Sequence, residues 1–110
     1  MANTFKNNTL KSAGTANSNV YAAGVGVSAT IIGMSIANII TTPITASIFL
    51  SGGTITGNVF LVKDATIAPG GALVPIGGDQ KLVLEAGDYL QVNTSVASSA
   101  DVITSILEIT

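Results

Sequence analysis

Turn-forming residues cut this chain into pieces too short for anything but strands. Gly, Pro, Asn and Ser recur roughly every 8–12 residues, the spacing of an all-β sandwich or barrel. Between them lie runs rich in Ile, Val and Thr, whose branched side chains suit a pleated sheet. Glu, Lys, Gln and Arg, the polar helix formers, are scarce, and no segment holds a helical period between caps. At 110 residues the chain is one domain by length.

About nine strands are expected. They are Thr4–Ser12, Asn19–Ala22, Ser28–Ile39, Ile44–Leu50, Asn58–Lys63, Leu73–Ile76, Lys81–Leu84, Tyr89–Thr94 and Val102–Ile109. Strict alternation assigns faces. Ile32, Met34 and Ile36 share one face of the third strand, with Gly33, Ser35 and Ala37 on the other. Ile44, Ala46, Ile48 and Leu50 point together, and so do Leu90 and Val92, leaving Tyr89, Gln91 and Asn93 outward. The last strand is apolar on both sides: Ile103, Leu107 and Ile109 against Val102 and Ile106. Such a strand is expected to be buried twice, once in the core and once under a loop or a neighbouring subunit.

Reversals are expected at Gly52–Gly53, Pro69–Gly70–Gly71, Gly77–Gly78–Asp79 and Glu85–Ala86–Gly87–Asp88. The fold class is all-β: a single-domain antiparallel β-sandwich, of either jelly-roll or immunoglobulin-like topology. Residues 1–18 form a polar N-terminal strand, or an arm that adds to a neighbouring subunit, with Phe5 and Leu10 as its anchors. Residues 19–110 form the sandwich domain.

The missing residue types narrow the function. There is no His, Cys or Trp, and all four basic residues are lysines. Those absences remove the usual groups of acid–base, thiol and zinc chemistry near neutral pH. The lysines (Lys6, Lys11, Lys63, Lys81) and acids (Asp64, Asp79, Glu85, Asp88, Asp101, Glu108) are scattered, so no basic patch for nucleic acid is expected. Val20–Leu50 is apolar enough to suggest a membrane span. Asn38, Thr41–Thr42–Pro43 and internal Ser and Thr interrupt it, so no membrane partner is expected.

Each candidate for chemistry has a plainer reading. Gly24–Val25–Gly26–Val27 lacks the third glycine, the lysine and the helix of a phosphate loop, and reads as a turn. Glu85 and Asp88 bracket one tight turn instead of spanning a sugar, and Asp88 is expected to bond backbone amides of that turn. Asp64, Asp79, Asp88 and Asp101 match no calcium-loop spacing. Serines have no histidine to activate them. No residue is assigned a catalytic, cofactor-binding or metal-ligating role, no cofactor is expected, and the chain reads as a non-enzyme.

Only 9% of residues are charged while 47% are hydrophobic, and mean hydropathy is +0.61. A typical soluble domain is about 25% charged. The deficit points to surface covered by other protein, including sheet edges, which otherwise invite uncontrolled pairing.

Several runs carry a resemblance. They are Met1–Ala2–Asn3–Thr4–Phe5–Lys6, the segment from Leu61 to Leu73 (LVKDATIAPGGAL), the segment from Gly77 to Asp88 (GGDQKLVLEAGD), Ala97–Ser98–Ser99–Ala100–Asp101–Val102 and Leu107–Glu108–Ile109. The chain resembles small β-sandwich virion proteins of tailed bacteriophages, marine and cyanobacterial phages among them. The resemblance implies a structural virion protein that self-associates, often as a trimer, and binds the major capsid protein as a decoration or cement protein. A neck, tail or fibre component, contacting neck or tail proteins, or a carbohydrate- or receptor-binding module using Tyr21 and Tyr89 are the alternatives. It implies no catalytic or cofactor residues.

Overall fold

The alternating apolar runs fold into nine strands in a computed structural model that describes residues 3–77 and 81–110. They are β1 (Asn3–Ala13), β2 (Ser18–Ala22), β3 (Ser28–Asn38), β4 (Ile44–Gly52), β5 (Ile55–Ile67), β6 (Ala72–Ile76), β7 (Leu82–Leu84), β8 (Asp88–Thr94) and β9 (Ala100–Ile109). Two antiparallel sheets pack face to face. One has the order β1-β9-β3-β6, with β7 also on β3; the other has the order β2-β8-β4-β5.

β6 and β7 line up end to end along β3: Met34 pairs with Ile76 and Ile31 with Leu82. They act as one interrupted strand. With that strand counted once, the order is 1-9-3-6 against 2-8-4-5, the jelly-roll wind. The choice left open by the sequence is therefore settled as a jelly roll. β1 pairs with β9 of its own chain, from Asn3 opposite Ile109 to Ala13 opposite Ala100.

The core lies between the sheets. Ile31, Ile36, Ile76, Leu84 and Ile106 from the first sheet meet Ile44, Ile48, Leu90 and Val92 from the second, all essentially inaccessible. Each such side chain contributes about 1.5–3 kcal/mol on leaving water. Leu90 and Val92 point inward and Tyr89, Gln91 and Asn93 outward, as the alternation requires.

One face assignment fails. Ile32 was expected beside Met34 and Ile36, but the β3–β9 register shifts between Ile31 and Gly33. A bulge there inserts one residue and reverses the alternation. Ile31 takes the core position, and Ile32 lies partly exposed on the outer side. β5 is also longer than the expected Asn58–Lys63. Gly57 and Asp64 adopt positive φ within the strand, and the β4–β5 ladder absorbs them through register shifts.

The turns follow their residues. Gly71 N–H donates to the Ala68 carbonyl, with Pro69 next and Gly70 at φ 74°, the pattern of a type II turn. Val27 N–H closes on Gly24 with Gly26 at φ 75°, so the glycine pair serves a turn. Of the Gly77–Gly78–Asp79 reversal, Gly78 and Asp79 lie outside the described residues. Asn38, which breaks the apolar stretch in sequence, is buried at the β3–β4 corner. Its amide donates to the carbonyls of Thr42 and Ile67, and its oxygen accepts from Ile40 N–H.

Gly52 meets the tightest backbone approach. Its φ is 130°, and a Cβ there would lie 2.5 Å from the Gly87 carbonyl oxygen and 2.6 Å from Asp88 Cα. Both neighbours are backbone and cannot yield cheaply. Gly52→Ala should therefore cost about 3 kcal/mol, a backbone-strain effect at the upper end of such penalties. Gly53→Ala, with nothing within 4 Å of the new methyl group, should stay within about 0.5 kcal/mol of the wild type. Chemical denaturation of the two variants checks the difference.

Candidate functional site

Most of the described charged side chains are engaged in holding the fold. Asp88 is almost fully buried at the start of β8. Its carboxylate accepts from the Thr54 amide, the Thr54 hydroxyl and the Glu85 amide. Around it, Gly53 N–H donates to the Gly87 carbonyl, Gly87 N–H to Ala23, and Ala23 N–H to Asp88. One carboxylate thus ties the β7–β8 turn to the β4–β5 hairpin, beside the end of β2. Burial opposes its ionised form, but the Thr54 hydroxyl and the Thr54 and Glu85 amides outweigh burial and hold Asp88 below the usual carboxylate range.

A second polar link crosses between the sheets. Tyr21 of β2 is buried and donates its hydroxyl to the Glu108 carboxylate of β9. Lys6 of β1 pairs with the same carboxylate at 3.4 Å and sits 5.9 Å over the Tyr21 ring. Burial, then the hydrogen bond and charge of Glu108, push the Tyr21 phenol above its ordinary value. The Tyr21 hydroxyl holds Glu108 low against the opposing effect of burial, with help from Lys6.

The other acids are local as well. Asp101 accepts from the Ser12 amide at the end of β1 and pairs with Lys11 at 3.1 Å; these contacts lower its pKa. Asp64, at φ 53° in its bulge, receives the Ser47 hydroxyl and donates its amide back to Ser47. Asp64, Asp88 and Asp101 stand on three different elements, and Asp79 lies outside the described residues. Among the described residues no group of three acidic side chains is gathered that could hold a metal. Glu85 and Asp88 bracket the turn as expected, and Asp88 binds its backbone. Tyr21 is sealed inside and cannot serve as an exposed sugar-stacking ring, while Tyr89 is half-buried beside Ser51.

What remains open is a surface. The outer face of the five-stranded sheet carries Phe5 at 74% exposure, Val74 and Val83 at 63% each and Ile103 at 50%. The register sets Phe5, Leu107, Thr30 and Val83 side by side in one row across β1, β9, β3 and β7. β9 was expected to be covered on both sides. Its inner side, Val102 and Ile106, is buried, but Ile103 stays half-exposed, so no described loop closes over it. The two-faced apolar pattern of β9 signalled this surface in the sequence. Val74 and Val83 gave no such signal, because short strands with a single apolar outer residue look ordinary. The apolar run Val20–Leu50 becomes β2, β3 and β4, and among the described residues no helix is long and apolar enough to cross a membrane.

The Asp88 network gives a pH-dependent prediction. A carboxyl with a lowered folded-state pKa contributes its full stability above the unfolded value, near 3.8, and loses it as pH falls through the lower folded value. Asp88→Asn keeps the shape but removes the charge, and should cost about 2–3 kcal/mol at pH 7, the scale of hydrogen bonds to an ionised group. The gap between variant and wild type should narrow in acid. Urea midpoints at pH 7 and pH 3 measure both effects.

The sequence matches no protein-family profile and no curated protein. The fold is similar over its full length to a chain from the Bacillus endospore appendages that form a novel family of disulfide-linked pili. The TM-score is 0.54 at 16% identity, covering 100% of this chain and 91% of that one. At that identity the likeness shows a shared fold.

Proposed function

We propose that this protein is a structural subunit that works by packing against other protein, copies of itself included. The observation that carries this reading is the apolar outer face of the five-stranded sheet, beside titratable groups already engaged in holding the fold. Exposed apolar patches of this kind mark interaction sites. The sequence resemblance supports a tailed-phage virion as the setting, with the subunit bound to the capsid as a decoration protein. A neck, tail or fibre position is the near alternative within the particle.

The likeness of fold to a pilus-forming chain favours a second reading, a subunit of a filament. The present chain has no cysteine, so a filament built from it would be held without disulfides. The two readings differ in closure. Rotational contacts that close give rings or small oligomers; those that do not close give fibres.

Native mass over a dilution series, with electron microscopy of the same samples, separates them. A closed oligomer of fixed size, stable on dilution, is the expected result and supports the capsid setting. Filaments lengthening with concentration support the appendage reading. A monomer at every concentration rejects self-association.

A further inference from the structure

We propose that the outer face of the five-stranded sheet is the surface on which a second copy of this chain docks, with Phe5 of each copy seated against the Ile103 groove of the other. The inference deepens the assembly reading above and rests on it. Three observations identify the occupant.

The first is shape. The same face holds both a projection and a recess. Phe5 stands out from β1 at 74% exposure. Further along the sheet a groove of about 280 Å³ is lined by Thr9, Ser35, Ala37, Ile103 and the paired Lys11 and Asp101. Ser35 and Ala37 are small, so β3 leaves room above the sheet there, and Ile103 gives the recess an apolar wall. A face with both parts is self-complementary: in an isologous pair, residue i of one copy meets residue j of the other, and the reverse contact forms at the same time.

The second is charge. The chain carries a net charge of −2, so copies repel at long range. Among the described strand residues of this face the charged groups are Lys11 and Asp101, and these pair with each other at 3.1 Å. The strands of this face are therefore neutral as a set, and two copies meeting through them bring together no unpaired strand charge. A strongly charged partner would find little to grip.

The third is area. From their fractional exposures, Phe5, Val74, Val83 and Ile103 together show roughly 400 Å² of apolar surface on this face, with the Asn7–Ser105 row between Phe5 and Ile103. That is about half of the ~800 Å² each partner buries in a standard interface. Leu107, Ile32, Ala37 and Ala72 lie among them on the same face and extend the contact.

Ile103→Lys and Phe5→Asp test the inference by placing charges that must be desolvated on docking. Both positions are exposed enough for the fold to survive, which circular dichroism checks; Val59→Lys, on β5 of the other sheet at 51% exposure, is the control. Sedimentation equilibrium of the full chain should show that Ile103→Lys and Phe5→Asp each raise the dissociation constant at least tenfold, while Val59→Lys changes it less than threefold. Folded Ile103→Lys and Phe5→Asp proteins that both assemble as tightly as the wild type overturn this docking face and leave the assembly reading standing. A wild type that is monomeric throughout overturns the assembly reading itself, and the docking face with it. If only one of the two variants dissociates the assembly, the Phe5–Ile103 pairing is overturned.

Discussion

The Asp88 carboxylate is the contact on which one end of the sandwich depends. A jelly roll must bring chain reversals from both sheets together at each end. Here the β4–β5 hairpin and the β7–β8 turn meet beside the end of β2, where strand ladders no longer satisfy the backbone. An unpaired buried amide costs about as much as a lost hydrogen bond. One ionised side chain satisfies two backbone amides and a hydroxyl at once, and charge-assisted bonds are the stronger kind. The arrangement works only because Gly52 has no side chain: the hairpin passes so close to the turn that a methyl group on Gly52 would overlap Gly87 and Asp88. The carboxylate and the glycine are thus two halves of one device. The opposite end adds neutral groups to the Asp101 carboxylate, which accepts from Ser12 N–H. Asn38 closes the β3–β4 corner, and Thr94 and Ser99 share a hydrogen bond at the β8–β9 corner.

This use of charge explains the surface. A chain with few ionisable groups that assigns Asp88, Glu108, Asp101 and Asp64 to internal links has little left to decorate its faces. Surface pairs such as Lys11–Asp101 contribute little stability by themselves, roughly 0–1 kcal/mol. Their consequence here is neutrality. Lys6 leans over Tyr21 toward Glu108 and Lys63 over Phe60, so even the long cations are drawn onto neighbouring groups. Among the described strand residues of the first sheet's outer face, the charged side chains, Lys11 and Asp101, pair with each other.

Much of this architecture can be read from the residues. Strand positions follow from turn chemistry, and Pro69–Gly70 and Glu85–Asp88 fall where a reversal needs them. Period-two alternation correctly turns Leu90 and Val92 inward. It fails at Ile32, because a bulge is a property of two paired strands and leaves no mark on either alone. Strand order is unreadable for the same reason: alternation tells which face is inside, not which neighbour lies alongside. The candidate surface was half legible. β9 advertises two apolar faces over several residues, whereas Val74 and Val83 join it only through the register of β6 and β7 on β3.

The two sheets manage their edges differently, and this bears on why a face, and not an edge, is left for contact. β6 carries Pro75 and β7 is three residues long, so that border offers a short, interrupted template for pairing. β2 is five residues long with a register shift, and β5 is bent by Gly57 and by the αL bulge at Asp64. β1 is the long border, and its lysines reach back to β9 instead of outward. Edge pairing is open-ended, since each added strand presents a new edge. A face-to-face contact uses up the surface that makes it and stops at two copies. In a chain whose borders are mostly short or bent, the proposed association through the broad face of the first sheet would end in a defined unit.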